Sequence, residues 1–180
     1  MKHVLDAVDK LVDEKLVVVS SAAQAQRYSQ AIHAKTRIAI DETEIRSPLA
    51  GALTGFKAAG SSHAALLACD TPLVCSDVLA LLFELCETRN AAIPRWPTGY
   101  IEPLQAVYNA EPTAKAAEEA LLCGCRDPKS MIARLRHVRY VSTLVLEQLD
   151  PELTTFLNIN TQPDLKRAET ILKHRHAQKR

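Results

Sequence analysis

The sequence predicts an α/β protein with a doubly wound, mostly parallel sheet. Short apolar runs typical of buried strands alternate with amphipathic helical patterns along the chain. The run AALLAC at residues 64–69 is apolar at consecutive positions, as expected of a strand that a parallel sheet buries on both faces. The length of 180 residues fits one domain spanning residues 1–180.

Each element is predicted from a local pattern. Apolar residues at helical spacing predict a first helix over residues 3–14. Ser47 followed by Pro48 is a typical helix start, because serine caps free N–H groups and proline suits the first turn. Helices are also predicted at residues 22–32, 48–60, 78–88, 112–122, 128–135 and from 161 onward. Strands are predicted at residues 16–19, 37–40, 64–69, 91–93, 105–108, 138–141 and 156–160.

Charge and hydropathy argue against several classes of protein. Basic and acidic residues balance to a net charge of +1, whereas a nucleic-acid binder should show a basic excess on one face. No apolar run approaches the roughly 18–20 residues of a membrane helix. Acidic residues interrupt the N-terminal segment, unlike a signal peptide. We therefore expect a soluble, cytoplasmic protein without nucleic-acid or membrane partners, and a homo-oligomer is one candidate for its assembly state.

The five cysteines do not form a recognisable metal or disulfide pattern. Cys123 and Cys125 form a C-x-C pair, but no histidine lies close to them in the sequence. A structural zinc site normally has paired C-x₂-C units with further ligands at set spacing. We therefore expect reduced thiols that pack as small apolar side chains.

Polar side chains follow several of the predicted strands. In open α/β sheets, ligands bind beyond the carboxyl ends of the strands. Ser20, Asp41, Asp70 and the asparagine-containing segment 158–160 all lie at or just past such ends. Asp70 is followed by Thr71 and Pro72, and proline cannot extend the hydrogen bonding of a central strand. The chain must therefore turn directly after Asp70.

Two roles are open for Asp70 from its position alone. A carboxylate at a rigid strand end suits Mg²⁺, which takes one or two protein carboxylates together with substrate phosphates. Alternatively, the aspartate caps its own turn through the backbone. The residues around it leave these alternatives evenly matched.

Four blocks of sequence resemble the molybdenum cofactor guanylyltransferase family. They occur in that family's order and at its approximate spacing, and the resemblance runs from roughly the first helix to the last, nearly the whole chain. The blocks are SPLAG at 47–51, CDTP at 69–72, IPR at 93–95 with EPL at 102–104 and Tyr108, and NINT at 158–161 with DL at 164–165.

The resemblance implies a Rossmann-like nucleotidyltransferase fold and an activity. The family transfers GMP from GTP to the phosphate of molybdopterin, with Mg²⁺ as cofactor and pyrophosphate as product. By resemblance, Asp70 is the catalytic, metal-binding residue and also contacts the nucleotide. The other implied nucleotide-binding residues are Ser20, Asp41, Leu49 and Gly51. The implied acceptor-binding residues are Arg95, Glu102, Pro103, Asn158 and Asn160.

The chain departs from the family pattern in two places. The family begins with a strand and a Gly-rich loop that cradles phosphate, but this sequence has no glycine before Gly51. We therefore expect an N-terminally incomplete domain that lacks its first strand, about 20–30 residues of one βαβ unit. Either Met1 is an internal start or the chain is a natural remnant, and in both cases we expect the chain to be weakly active or inactive. Ser20 also replaces an asparagine common in the family, which removes the paired donor and acceptor of an amide.

Several alternatives accompany this interpretation. A related transferase could use CTP or another phosphorylated acceptor, and a non-catalytic binding or assembly subunit could keep the fold. Trp96 and Tyr100 could stack on a flat ring or simply anchor their loop. The basic residues between 126 and 139 could meet an anionic phosphate, but a solvated helix face is the favoured interpretation.

Overall fold

The order of helices and strands confirms the predicted α/β class. The computed structural model describes residues 1–32, 35–41 and 43–178, with side chains as far as residue 173. The strands are β1 (Lys15–Val19), β2 (Thr36–Ile40), β3 (His63–Leu67), β4 (Ala91–Arg95), β5 (Gln105–Asn109) and β6 (Val138–Ser142). The helices are α1 (Lys2–Ala7), α2 (Ala22–Ser29), α3 (Pro48–Ala58), α4 (Ser76–Cys86), α5 (Ala110–Leu122), α6 (Lys129–Ile132), α7 (Thr143–Leu146) and α8 (Gln162–Gln178).

The described strands form two sheets. Strands β1 and β2 pair in parallel, and the other four strands are ordered β3-β5-β4-β6. Strand β4 runs parallel to β6, whereas β5 is antiparallel to both of its neighbours. Strands β3, β4 and β6 therefore point the same way. The antiparallel exception follows a short connection, because a parallel neighbour would need a crossover of a dozen or more residues.

Helix α3 packs against both sheets. Its start is capped as predicted, since the Ser47 hydroxyl accepts from the Ala50 N–H at 3.1 Å and Pro48 occupies the first turn. A side chain added at Gly55 would come within 3.3 Å of Val18 in β1, so the glycine permits close approach to the smaller sheet. Phe56 packs edge-on against Tyr108 in β5 with ring centroids 5.4 Å apart. The two sheets thus share one covering helix.

Apolar side chains cover both faces of the four-stranded sheet. On one face, α3, α5 and α6 enclose a core that Ala64 and Leu66 of β3 touch. On the other face, α1 and α4 enclose a second core that Ala65 and Leu67 touch. The alternation along β3 confirms the prediction that a consecutive apolar run is a strand covered on both sides.

The first helix is shorter than predicted. It ends at Ala7 instead of continuing to residue 14. The N–H groups of Leu11 and Val12 both donate to the Val8 carbonyl, at 2.9 and 3.2 Å, so the chain turns here before entering β1. Apolar spacing cannot distinguish a helix from such a turn, because both bury the same side chains.

The strand predicted at residues 156–160 is wrong. Thr154–Phe156 form one turn of 3₁₀ helix, and residues 157–160 join no described strand. The Ile159 N–H instead donates to the Asp70 carbonyl at 2.9 Å. The helix predicted at 128–135 is reduced to α6, and α7 was not predicted at all.

We predict that removing the hydroxyl of Tyr108 destabilises the fold. Tyr108 is fully buried, and its hydroxyl donates to the Pro103 carbonyl at 2.8 Å. Tyr108→Phe leaves that carbonyl unpaired, which should lower the free energy of unfolding by about 1–3 kcal/mol in urea denaturation. Tyr28→Phe is the matched control, because the Tyr28 ring is only half-buried and its hydroxyl bonds to none of the described residues. Equal unfolding free energies for the two variants would contradict this account.

Candidate functional site

The candidate site lies along the edge where β3, β4 and β6 end. Asp70 follows β3 and Arg95 is the last residue of β4, so both lie at this edge. Strand β5 runs the opposite way and begins here, which brings Glu102 and Pro103 to the same edge. The sheet topology therefore gathers two of the four predicted blocks.

Buried hydrogen bonds fix the turn that carries Asp70. The hydroxyl of the fully buried Thr71 donates to the Ala68 carbonyl at 3.0 Å and accepts from the Gln105 amide at 3.3 Å. The Ala68 N–H donates to the Leu104 carbonyl at 3.0 Å. Asp70 is thus held on a rigid corner between β3 and the start of β5.

The carboxylate of Asp70 is half-buried and has no partner in the described part of the chain. Neither of its oxygens takes part in a hydrogen bond or an ion pair there, although its backbone carbonyl accepts from Ile159. The alternative in which the aspartate caps its own turn therefore lacks the hydrogen bond that it requires. The main-chain nitrogen of Met1 donates to the Cys69 carbonyl at 3.0 Å, so α1 begins beside this turn.

The segment with Asn158 and Asn160 lies against the Asp70 turn. Its central residue, Ile159, makes the backbone bond to Asp70, and both asparagines are exposed. At the end of the segment, the Asp164 carboxylate accepts from the N–H groups of Asn160 and Thr161, at 3.2 and 2.9 Å. These bonds confirm the predicted helix start, and the hydrogen bonds from Thr161 lower the pKa of Asp164.

A buried network that the sequence did not predict holds this segment in place. Asp150, 3% exposed, accepts from the Thr155 N–H at 2.7 Å and from its hydroxyl at 2.8 Å. The same hydroxyl accepts from the Cys75 N–H at 3.0 Å. The network therefore ties residues 150–157 to the loop after Asp70. No local pattern signals the link to this loop, since Cys75 and Thr155 lie 80 positions apart in the sequence.

Ser20 and Asp41 lie together at the end of the β1–β2 sheet. The Asp41 N–H donates to the Val19 carbonyl at 2.7 Å. The buried Asp41 carboxylate accepts from the Thr43 hydroxyl at 2.7 Å and from the Thr54 hydroxyl at 3.2 Å. Its observed contacts thus fix the loop that leads into α3.

Ser20 also has protein partners. Its N–H and its hydroxyl both donate to the side-chain oxygen of Gln24, each at 2.9 Å. Its carbonyl accepts from the Arg46 guanidinium at 2.7 Å. The arginine therefore places a positive charge beside the end of β1.

The first turn of α3 could contact a ligand through its backbone but not through the Leu49 side chain. The Leu49 side chain is fully buried in the core, so it cannot reach a ligand. A Cβ added at Gly51 would meet nothing within 4 Å, which leaves open space beside the helix. The Gly51 N–H bonds back to the Ser47 carbonyl at 3.2 Å.

Arg95 and Glu102 lie at the two ends of a small hairpin, residues 94–102. The Trp96 N–H donates to the Tyr100 carbonyl at 2.8 Å, and the Glu102 N–H donates to the Pro94 carbonyl at 3.0 Å. The Trp96 indole donates to the Glu102 carboxylate at 2.7 Å and packs edge-on against Phe156. Of the two roles considered for Trp96, its contacts are those of a loop anchor.

Pro103 is buried and Glu102 is half-buried. Pro103 is buried and its carbonyl is occupied by Tyr108, so it fixes the loop without exposing a binding group. Burial raises the pKa of Glu102, while the hydrogen bond from Trp96 and the charge of Lys129 act in the opposite direction.

The predicted site residues fall into two groups. Asp70, Arg95, Glu102, Pro103 and the segment 158–160 lie along one edge of the four-stranded sheet. Ser20, Asp41 and the start of α3 lie at the end of the smaller sheet. In the first group the Ile159 N–H bonds to the Asp70 carbonyl, and in the second Asp41 bonds to Val19 and to Thr54 of α3. Helix α3 is the element that packs on both sheets.

Other predicted features can be compared with the structure. Among the residues described, no three His, Cys, Asp or Glu side chains are grouped so that they could hold a metal ion. All five cysteines are free, and burial raises the pKa of the Cys86 thiol to about 11. No helix within the described ranges is long and apolar enough to cross a membrane.

A family model matches most of this chain. Residues 1–138 match the model of the MobA-like NTP transferase domain. The chain belongs to this family. The family is one of nucleotidyltransferases, as the sequence blocks predicted.

Curated relatives carry the name that the blocks predicted. One is the molybdenum cofactor guanylyltransferase of Desulfosudis oleivorans, 30% identical over 95% of this chain and 81% of the relative. Another, from Natronomonas pharaonis, is named a probable molybdenum cofactor guanylyltransferase and is 34% identical over 89% of this chain and 79% of its own length.

Solved structures share the fold. Molybdopterin-guanine dinucleotide biosynthesis protein A from Archaeoglobus fulgidus superposes with a TM-score of 0.80 at 30% identity, covering 96% of this chain and 84% of that one. A 2-C-methyl-D-erythritol 4-phosphate cytidylyltransferase from Thermus thermophilus has a TM-score of 0.70 at 17% identity, covering 95% of this chain and 87% of that one. At that identity the second likeness shows the fold alone.

We predict that Glu102→Gln changes how stability depends on pH. The folded state raises the pKa of Glu102 above the ordinary 4.5, so the folded state binds its proton more tightly than the unfolded state. The Glu102 contribution is therefore lost as pH rises from about 4.5 through the raised pKa. Glutamine keeps an oxygen acceptor for Trp96 without a buried charge. The variant should lose less stability than the parent between acidic and neutral pH.

The measurement is urea unfolding of both proteins at a series of pH values, with Glu87→Gln as the matched control. Glu87 is exposed, and its backbone lies at the end of α4, away from the hairpin. Parallel stability profiles for the parent and Glu102→Gln would contradict the assigned burial of this carboxyl group.

Proposed function

We propose that this protein carries the site of an enzyme that transfers GMP from GTP to the phosphate of molybdopterin, with Mg²⁺ bound at Asp70, and that the chain without the Gly-rich loop performs this transfer weakly or not at all. The observation that carries the proposal is the unpartnered carboxylate of Asp70, held on a rigid strand end beside two exposed asparagines. The names of the relatives supply the substrates, and the resemblance to the family supplies the candidate residues.

The surroundings of Asp70 fit a magnesium site of a particular kind. Mg²⁺ prefers oxygen ligands, and it commonly takes one or two carboxylates while substrate phosphates and water complete its shell. A lone carboxylate without protein partners is suited to this arrangement, since no ion pair has to be broken. Asn158 and Asn160 would add amide oxygens next to the same turn. When bound, the ion neutralises phosphate charge.

The nucleotide would approach from the side of α3. There the Leu49 N–H, in the first turn of α3, has no acceptor among the described residues. The N-terminal end of a helix favours anionic groups. Arg46 adds a positive charge at the end of β1. Ser20 and Asp41 would contribute to this surface from neighbouring strand ends, with Asp41 also stabilising the loop before α3. Gly51 leaves room for the approach.

The acceptor would lie on the other side of Asp70. Arg95 offers a cation for its phosphate, and Glu102 offers a carboxylate for polar ring atoms. Pro103 keeps the loop in place. In the proposed reaction, an oxygen of the acceptor phosphate bonds to the α-phosphorus of GTP, the bond to the bridging oxygen breaks, and pyrophosphate leaves. Such transfers depend mainly on positioning and charge neutralisation.

We predict that Asp70→Asn weakens magnesium-dependent binding of GTP. The amide keeps the size of the carboxylate but loses its charge, so the metal loses its protein anchor. Isothermal titration calorimetry with GTP, with and without Mg²⁺, should show a loss of the Mg²⁺-dependent part of the affinity by about tenfold or more. Asp13→Asn is the matched control, because Asp13 is exposed in the turn before β1. The candidate residue Ser20 lies at the other end of that strand.

Unchanged GTP affinity of the Asp70 variant would remove this residue from the proposed role. A parallel titration with CTP distinguishes the related transferase. Tighter binding of CTP than of GTP would replace the guanylyl donor in the proposal, whereas no magnesium-dependent binding of either nucleotide would favour a non-catalytic subunit.

A further inference from the structure

The turn after α5 carries two cysteines outside the candidate site. Cys123, Gly124 and Cys125 directly follow the last residue of α5, and none of them belongs to the sequence blocks that resemble the family. Cys123 is exposed, Cys125 is half-buried, and both are free thiols. The proposed transfer of GMP uses neither of them, so the two thiols have no role in it.

The backbone of this turn has a fixed geometry. The Cys125 N–H donates to the Ala120 carbonyl at 3.0 Å, and the Gly124 N–H donates to the Leu121 carbonyl at 2.9 Å. These two bonds form a Schellman motif, in which the residue after the C-cap is left-handed. Gly124 is that residue, with a φ of +81°, which glycine adopts at little cost. Both cysteines are therefore held on one closed turn.

The turn keeps the two cysteines close enough for a disulfide. Consecutive Cα atoms are about 3.8 Å apart, so a bent chain places the Cα atoms of Cys123 and Cys125 about 5–6 Å apart. Disulfides usually join cysteines whose Cα atoms are about 4.4–6.8 Å apart. A Cβ added at Gly124 would meet nothing within 4 Å, so the space beside the middle of the turn is open.

One guanidinium lies against both sulfur atoms. A hydrogen bond with Cys123 is the main cause that raises the pKa of Arg134, and the charge of Cys125 and a hydrogen bond with it act in the same direction. Since a single guanidinium reaches both thiols, the two side chains project to the same side of the turn. The same guanidinium donates to the Ser130 carbonyl at 2.8 Å. A cation beside a cysteine favours the thiolate, which is the nucleophilic form.

A second arginine makes the surroundings of the pair positive. The Arg126 guanidinium donates to the Cys125 carbonyl at 3.0 Å, which holds it at the turn. Arg126 and Arg134 are both exposed, and the salt bridges between described residues join other side chains. The carboxylate of Asp127 accepts from the Lys129 N–H at 2.8 Å. The two guanidinium groups therefore suit a ligand that carries negative charge.

We infer that Cys123 and Cys125 are a dithiol pair that exchanges with anionic small-molecule disulfides and is oxidised to a disulfide between the two cysteines. The exposed Cys123 is the attacking thiol, and Cys125, which packs partly against the core, is the resolving thiol. Arg134 and Arg126 attract the carboxylates of the incoming compound. The inference is independent of the proposed function, because the two use different residues.

The exchange has two steps. The Cys123 thiol gives up its proton, and its sulfur bonds to one sulfur of the incoming disulfide while the sulfur–sulfur bond of that compound breaks. One half of the compound leaves as a thiolate and takes up a proton. The Cys125 thiol then loses its proton, and its sulfur bonds to the Cys123 sulfur and displaces the other half, which is protonated in turn. The two cysteines are thus oxidised, and the disulfide compound is reduced to two thiols.

The test is incubation of the full chain with oxidised glutathione, a disulfide with more carboxylates than ammonium groups, followed by tryptic digestion and mass spectrometry. Both cysteines lie in one tryptic peptide, residues 116–126, which contains no other cysteine. We expect this peptide to become lighter by two hydrogens. Cys125→Ser should stop the exchange after its first step, so that one glutathione stays attached to Cys123.

The arginine variants test how the pair recognises its oxidant. Arg134→Met should slow the reaction with oxidised glutathione by about five- to tenfold, because it removes the cation beside the attacking sulfur. Arg134→Lys keeps the charge and should retain most of the rate. Arg27→Met is the matched control, since Arg27 is exposed on α2, and it should leave the rate unchanged. The parent should also prefer oxidised glutathione to the neutral 2-hydroxyethyl disulfide, and Arg134→Met should reduce this preference.

Three results would overturn the inference. The first is a parent peptide 116–126 that stays reduced, or that ends with glutathione attached instead of an internal disulfide. The second is equal reaction of the parent with the anionic and the neutral disulfide. The third is an Arg134→Met variant that reacts as fast as Arg27→Met. Circular dichroism checks that the variants fold, and the first two results concern the parent protein alone.

Discussion

The site depends on the buried hydrogen bonds of Thr71. Because this hydroxyl bonds both to the Ala68 carbonyl and to Gln105, it fastens the end of β3 to the start of β5. The carboxylate of Asp70 projects from that corner without a protein partner among the residues described. A charged group that is rigidly held and unpaired is suited to an ion that brings its own ligands, since the protein reorganises little when the ion binds.

The same corner organises the elements around it. Segment 157–160 bonds to the Asp70 carbonyl, and the buried Asp150 and Thr155 fix the residues just before it. On the other side, the hairpin 94–102 is closed by its own backbone bonds and anchored by Trp96. The candidate acceptor surface is thus built on a sheet edge with a hydrogen-bonded loop on each side.

Local patterns were sufficient to predict much of this arrangement. The consecutive apolar residues before Asp70 predicted a strand covered on both faces, and Ser47-Pro48 predicted the start of α3. The sequence could not predict segment 157–160, because its backbone bonds to a turn nearly ninety positions away instead of to a neighbouring strand. Four of the five basic residues between 126 and 139 are exposed, in agreement with the solvated face that was favoured for this stretch. Gln105, a polar residue at the start of an apolar strand, was the one signal that the sequence offered of the buried hydrogen bonds around Thr71.

The most direct test of the account is paramagnetic broadening of amide resonances by Mn²⁺ in the presence of GTP. Manganese takes the same oxygen ligands as magnesium and broadens the signals of nearby nuclei. With nitrogen-15 labelled protein, the amides of residues 69–71 and 158–160 should broaden first, and Asp70→Asn should abolish the effect. Broadening centred elsewhere, or an unchanged pattern in the variant, would show that the carboxylate of Asp70 does not hold the ion.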